Sequence, residues 1–400
     1  MPINTYVIKI ASRCNINCTY CYMYNLEDSS YKKQPRFMSN DTMEVLCRKI
    51  ATYSRQSGVK NVIIVFHGGE PLLVNPSFFT ATKALLDEHL KGQGIYYSMT
   101  LQTNGTLLTE AWIDFLDKHE IDIGVTIDGT KDIHDQFRIY KSGKGSFDEI
   151  YRNLKMLSIK KLGLITVLNP EEQAPDLYAL YKDLKVGLVN TLLPLHTFET
   201  YKQEDEQKFI ALLEGLYRLW KEDHDQGKPL LLFFYSILGL KAGIYEGHEQ
   251  MGITKCGSLI VETNGDLETV DTLKSCKSGI TASSINIHKN EIADIFMEEN
   301  ISLYYHSHQH LCTTCQQCDK RHICGGGYLP HRYSKVNGFN NPSVYCNLIK
   351  HMIGLVEEDM KNTASEELWN RINQENEAAL EKSAYFNDFY LLESFKTEVA

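Results

Sequence analysis

Three cysteines stand at Cys14, Cys18 and Cys21, spaced C-x3-C-x2-C directly after the apolar run Tyr6–Ile10. Three thiolates on one tight loop can hold three irons of a [4Fe–4S] cluster and leave the fourth open to a small molecule. A zinc site would need a fourth ligand close by, and no His or Cys follows before Cys47. Cys47 itself shares a helical stripe with Met43, Leu46 and Ile50 and reads as a core thiol. No further cysteine comes before Cys256, after which Cys276, Cys312, Cys315, Cys318, Cys324 and Cys346 complete the eleven. The chain has no run of eighteen apolar residues, and its start does not read as a signal peptide. Asp and Glu outnumber Lys and Arg by 51 to 41, which argues against nucleic acid or an anionic membrane as the main partner. A cytoplasmic protein is expected, where thiols stay reduced. Metal or redox chemistry is then the reading of so many cysteines.

The elements that must place these thiols alternate. Predicted strands at Tyr6–Ile10, Val62–Phe66, Tyr96–Gln102, Ile123–Ile127, Leu164–Leu168 and Val189–Pro194 each precede a predicted helix. Those helices are Thr42–Arg55, Ser77–Leu90, Ala111–Lys118, Phe147–Ile159, Ala174–Lys185 and Asp205–Trp220. Such alternation implies a parallel sheet with right-handed crossovers. Six units predict an α/β fold built on a partial (β/α)6 barrel, since full closure takes eight. Polar or glycine-rich residues follow the strands at His67-Gly68-Gly69-Glu70, Thr103-Asn104-Gly105 and Asp128-Gly129. Those are the places where barrel enzymes carry their chemistry. At 400 residues the chain exceeds one domain of roughly 100–200 residues. The expected division is a barrel over residues 1–235, a Cys-rich unit over 236–348 that needs metal staples, and a helical tail over 349–400.

The cysteine triplet followed by His67-Gly68-Gly69-Glu70-Pro71 resembles the radical S-adenosylmethionine (SAM) enzymes. The resemblance implies that Cys14, Cys18 and Cys21 carry the cluster and that its open iron chelates the methionine amino and carboxylate groups. Gly68, Gly69 and Glu70 would bind the amino group. Thr103 and Asn104 match the usual segment after the third strand. Thr126-Ile-Asp128-Gly129, with His134-Asp135-Gln-Phe-Arg138, resembles the stretch that completes the cofactor pocket in peptide-acting members, with Thr126 and Arg138 for the cofactor carboxylate. Cys315-x2-Cys318-x5-Cys324 and the later Cys346 resemble the auxiliary-cluster domain called SPASM. Val270 and Tyr328 stand where that pattern has cysteines. One auxiliary [4Fe–4S] cluster is therefore expected on Cys315, Cys318, Cys324 and Cys346. A second is expected on Cys256, Cys276 and Cys312, with an open or non-cysteine fourth site, giving about twelve irons in all.

The stretches from Glu268 to Lys274, from Cys324 to Tyr333 and from Asn337 to Cys346 resemble the cyclophane-forming peptide maturases, with the FxsB-like branch nearest. That resemblance covers about residues 5–350 and implies a ribosomal precursor peptide (leader and core) as substrate. It also implies an external donor such as flavodoxin or ferredoxin, and no appended leader-recognition domain before Cys14. Such enzymes join an aromatic ring carbon to the Cβ of a residue two positions later. A hydrogen atom leaves Cβ, the carbon radical adds to the ring, and the ring then loses an electron and a proton. Asp271, just after the position of a missing cysteine, is the candidate base. His331 and Arg332 are candidates for contact with substrate or cluster sulfur. Thioether formation, epimerisation and a non-catalytic, metal-binding peptide adaptor are the alternatives.

Overall fold

The computed structural model describes residues 2–156, 162–244, 247–253 and 256–366. Six strands come first: β1 (Thr5–Ala11), β2 (Asn61–Gly68), β3 (Tyr96–Thr103), β4 (Ile121–Thr126), β5 (Leu162–Val167) and β6 (Leu188–Leu192). The helices between and after them are α1 (Asn40–Ser57), α2 (Pro76–His89), α3 (Glu110–Lys118), α4 (Lys131–Phe137), α5 (Phe147–Met156), α6 (Ala174–Asp183) and α7 (Glu206–Glu222). Helix α1 shows why the sequence folds so. Ser39 caps it by accepting from the Thr42 amide at 3.1 Å, Met43, Leu46, Cys47 and Ile50 are buried, and Gly58 ends it at φ 77°. The end of the helix expected to reach Ile159 lies outside the described residues.

Each neighbouring pair from β1 to β6 is parallel, as the alternation requires. The sheet does not stop there. A two-residue β7 (Leu230–Leu231) follows β6, and α8 (Leu232–Lys241) comes next, so the division expected at residue 235 falls inside α8. On the other side, β8 (Ser258–Val261) pairs parallel with β1, and β9 (Leu267–Glu268) pairs antiparallel with β8. The nine-stranded order is β7-β6-β5-β4-β3-β2-β1-β8-β9. The open edge of the partial barrel is thus covered by a hairpin from the Cys-rich part of the chain. That pairing sets β8 beside β1 and brings the residues just after β9 within reach of β1.

The Cys-rich part is otherwise short pieces: α9 (Glu299–Tyr305), α10 (Thr313–Gln316) and α11 (Arg321–Cys324), then the long α12 (Cys346–Thr363). Leu348, Ile349, Met352, Ile353 and Val356 bury one face of α12, where it packs on α7 and α8. One apolar core runs from Ile3 through the barrel to Val356. The tail expected beyond residue 366 lies outside the described residues. Among the described residues no helix is long and apolar enough to cross a membrane.

Candidate active site

The C-terminal ends of the parallel strands open into one cavity of about 1230 Å³. Cys14, Cys18 and Cys21 line it, together with Gly68, Gly69, Thr103, Asn104, Thr126, Arg138 and Asp271. With Cys276, eleven of the expected site residues therefore meet in one place, drawn from the loop after β1, the ends of β2, β3 and β4, the residue after α4, and the segment after β9.

The cysteine loop is held by its backbone. Asn17 and Thr19 donate to the carbonyls of Ile139 and Phe137 at 2.7 and 2.9 Å, and Cys21 donates to the Cys18 carbonyl at 3.0 Å. Asn104 steadies the loop from the end of β3, with Nδ2 at 2.9 Å from Asn15 Oδ1 and 3.6 Å from Cys14 Sγ. Burial, then the Glu70 charge, pushes the Cys14 thiol up to about 12, and burial pushes Cys21 to about 11. Thiolates in so dry a place need a cationic partner, which iron supplies.

The turn after β2 approaches this loop so closely that only glycine fits. Gly68 has φ 131°, and a Cβ there would meet the Ala11 carbonyl oxygen at 2.1 Å. A Cβ on Gly69 would meet the Arg13 carbonyl oxygen and the Tyr24 hydroxyl, each at 2.2 Å. Glu70 does not reach the cavity. It is fully buried, and its carboxylate accepts from Leu72 N at 3.0 Å, Thr103 Oγ1 at 2.7 Å and Asn104 N at 2.8 Å. Its bonds tie the end of β2 to the end of β3. Gly69→Ala is expected to displace the Arg13–Cys14 backbone. A misplacement of about 1 Å near the chemistry costs on the order of 10²-fold, and 5′-deoxyadenosine formation would measure it.

Across the cavity, Thr126 Oγ1 accepts from Gln102 Nε2 at 3.0 Å. Arg138 follows α4 and donates to the Tyr20 hydroxyl at 2.9 Å, while Asp128 Oδ2 lies 3.5 Å from the same nitrogen. Arg138 Nε is buried without a partner, which leaves a donor for a carboxylate.

Asp271 lines the same cavity and sits within a buried charge network. Lys9, 0% exposed on β1, lies 3.0 Å from Asp271 Oδ2 and 3.0 Å from Glu262 Oε1. Lys274 lies 3.0 Å from Glu262 and 2.8 Å from Glu268, and the Tyr22 hydroxyl donates to Asp271 Oδ2 at 3.1 Å. Burial pushes the Asp271 carboxyl up, but the charges around it, Lys9 foremost, outweigh that and hold it at about 2. Lys9 and Tyr22 escaped the sequence reading. A lysine flanked by Ile8 and Ile10 in a strand buried on both faces was the available signal, since such a charge needs a partner.

Residues 8–184 match the Radical SAM superfamily. This chain is an enzyme with a radical SAM domain at those residues. It is 27% identical over 369 residues to a serine-type anaerobic sulfatase-maturating enzyme of Bacteroides thetaiotaomicron, covering 84% of each chain. In fold it is similar to native anSMEcpe with bound AdoMet and Kp18Cys peptide, with a TM-score of 0.76, 21% identity, and coverage of 90% of this chain and 99% of that one. It is also similar to Streptococcus suis SuiB bound to precursor peptide SuiA, with a TM-score of 0.56, 17% identity, and coverage of 86% and 76%. A [4Fe–4S] cluster and SAM are the cofactors of the radical SAM domain. The glycine cradle and the unpartnered Arg138 Nε fit them. Among the described residues no three His, Cys, Asp or Glu side chains close tightly enough to hold a single metal ion. A four-iron cluster is wider and takes each thiolate on a separate iron.

The C-terminal cysteines gather differently from expectation. Cys315, at the end of α10, lies within electrostatic reach of Cys312, Cys324 and Cys346, and Cys346 within reach of Cys318 and Cys312. Five thiols thus share one place, beside the fully buried Arg332. The Arg332 guanidinium donates to the Ser307 carbonyl at 2.9 Å and to that of His310, which fixes the segment before Cys312. His331 instead packs between the rings of Tyr328 and Tyr345 and lies off the large cavity. The expected trio of Cys256, Cys276 and Cys312 is not brought together. Cys256 donates to the Tyr304 hydroxyl at 3.2 Å, Cys276 faces the Pro330 carbonyl at 3.7 Å on the cavity wall, and Cys312 sits with Cys315. The spacing Cys312-x2-Cys315 repeats Cys315-x2-Cys318 and was the signal that Cys312 belongs to that group.

Proposed function

We propose that this enzyme closes a cyclophane in a ribosomal precursor peptide, joining an aromatic ring carbon to the Cβ of a nearby residue. The observation that carries the reading is the placing of Asp271 on the same cavity wall system as Cys14, Cys18 and Cys21. The cavity of about 1230 Å³ is larger than a typical small-molecule pocket of roughly 300–1,000 Å³ and has room for a peptide segment beside the cofactor.

Cys14, Cys18 and Cys21 would hold the cluster, with Thr126 and Arg138 receiving the carboxylate of SAM and the Gly68–Gly69 and Thr103–Asn104 turns shaping its bed. When bound, the cofactor supplies a 5′-deoxyadenosyl radical that takes one hydrogen atom from Cβ. The carbon radical adds to the ring, which then gives up one electron and one proton. Asp271 receives the proton, and Tyr22 and Lys9 hold its carboxylate in place. Cys315, Cys318, Cys324 and Cys346 would carry an auxiliary cluster, a suitable acceptor for the electron. A flavodoxin or ferredoxin would supply the electron that starts each turnover, in the cytoplasm.

The test is coexpression with the encoded neighbour peptide followed by tandem mass spectrometry. The reading expects a loss of two hydrogens and no backbone fragments between the joined residues. A product two hydrogens lighter that fragments normally and reacts with hydroxylamine would identify a side-chain carbonyl and reject the crosslink. Epimerisation would leave the mass unchanged.

A further inference from the structure

We infer that the wall of the cavity behind Asp271 carries no iron, so that the enzyme holds one auxiliary cluster and not two. The inference rests on the assignment of an auxiliary cluster to the Cys315 group. Cys256 is a single thiol in a hydrogen-bonded string. It donates to the Tyr304 hydroxyl, and Tyr304 in turn donates to Glu249. Tyr328 and Val270, 4% and 6% exposed, fill the positions where the SPASM pattern has cysteines, and the Tyr328 hydroxyl is bonded to Thr272 Oγ1.

The ligand set is incomplete there, and the enclosed space is small. Among the described residues, the enclosed space lined by Cys256, Glu249 and Tyr304 is about 10 Å³. That is room for about one water, which needs ~10–15 Å³ on the same measure, and far too little for four irons and four sulfides. The site cannot swell cheaply either. The turn after Cys324 lies against the Gly252 backbone so closely that a Cβ on Gly325 would sit 1.7 Å from the Gly252 carbonyl oxygen. Neither Cys276 nor Cys312 reaches this place, as their own contacts show.

Glu249 and Tyr328 line the large cavity as well, on the side of Asp271. The peptide therefore meets a carboxyl and a phenol there, not an open iron. A substrate thiolate has no metal to bind at this wall.

The test is iron and sulfide per chain in the anaerobically reconstituted full-length enzyme. About eight irons are expected, with Cys256→Ser and Cys276→Ser each keeping the parent's content. Cys256→Ser retains a small polar side chain for Tyr304, so that a fall in iron is not a fall in folding; circular dichroism checks that. A loss of about four irons in Cys256→Ser overturns the inference. Cys324→Ser in the same assay should lose about four, and if it loses none the auxiliary assignment fails while the iron-free wall stands.

Discussion

Replacing any one of Cys14, Cys18 or Cys21 with Ala is expected to abolish reductive cleavage of SAM. The open iron exists only because its three companions are held, so two thiolates cannot substitute for three. Loss should be complete within detection, measured as 5′-deoxyadenosine under dithionite. Iron bound by the Cys315 group, about four per chain, should remain. The fold should remain too, because these residues lie on a loop whose backbone bonds to Phe137 and Ile139 do not involve the thiols. A single variant that still made 5′-deoxyadenosine at the parent rate would show that the cluster is held elsewhere.

Asp271→Asn should separate initiation from completion. The amide keeps the size and a hydrogen bond from Tyr22 but cannot take a proton at neutral pH. Cofactor cleavage should persist while crosslinked product falls by roughly 10²–10⁴, the range for loss of a general base. An Asp held at about 2 is a weak base, which suits a ring proton that becomes strongly acidic once the electron has left. The sign of the pH effect follows. A lowered pKa keeps the carboxylate ionised as pH falls, so Asp271 imposes no acid limb on product formation from about pH 5 upward. Lys9 is the main cause, with Lys274 and His67 also facing Asp271, and Tyr22 bonded to it. Lys9→Gln should move the carboxyl upward and bring an acid limb into view. Breaking such a buried pair costs about 3–5 kcal/mol, so that variant is best assayed well below its melting temperature. Equal product from Asp271→Asn and parent would leave the residue a structural role only.

Spacing along the chain made the Cys14–Cys21 loop and the Gly68–Gly69 turn readable, because both are local and both follow strands with strong patterning. Thr126 and Arg138 were reached through a short stretch around α4, although α4 itself, seven residues long, was not seen. What escaped was non-local. Lys9 meets Glu262 across 253 residues, through a β8 of four residues and a β9 of two, too short to show a period. The same pairing explains Asp271, which was picked by position but whose partners could not be. The partners of the remaining thiols are likewise set only in the third dimension. Cys256 found Tyr304 and Cys312 found Cys315.

Carbon–carbon bond formation at an aromatic ring is tested most directly by isotope. A precursor peptide with ring-deuterated and Cβ-deuterated residues would be turned over once by the reconstituted enzyme. Product and 5′-deoxyadenosine would then be weighed. The account predicts one Cβ deuterium in 5′-deoxyadenosine and one ring deuterium lost to solvent for each product formed. Retention of every ring deuterium in a product that has lost its Cβ deuterium would contradict it.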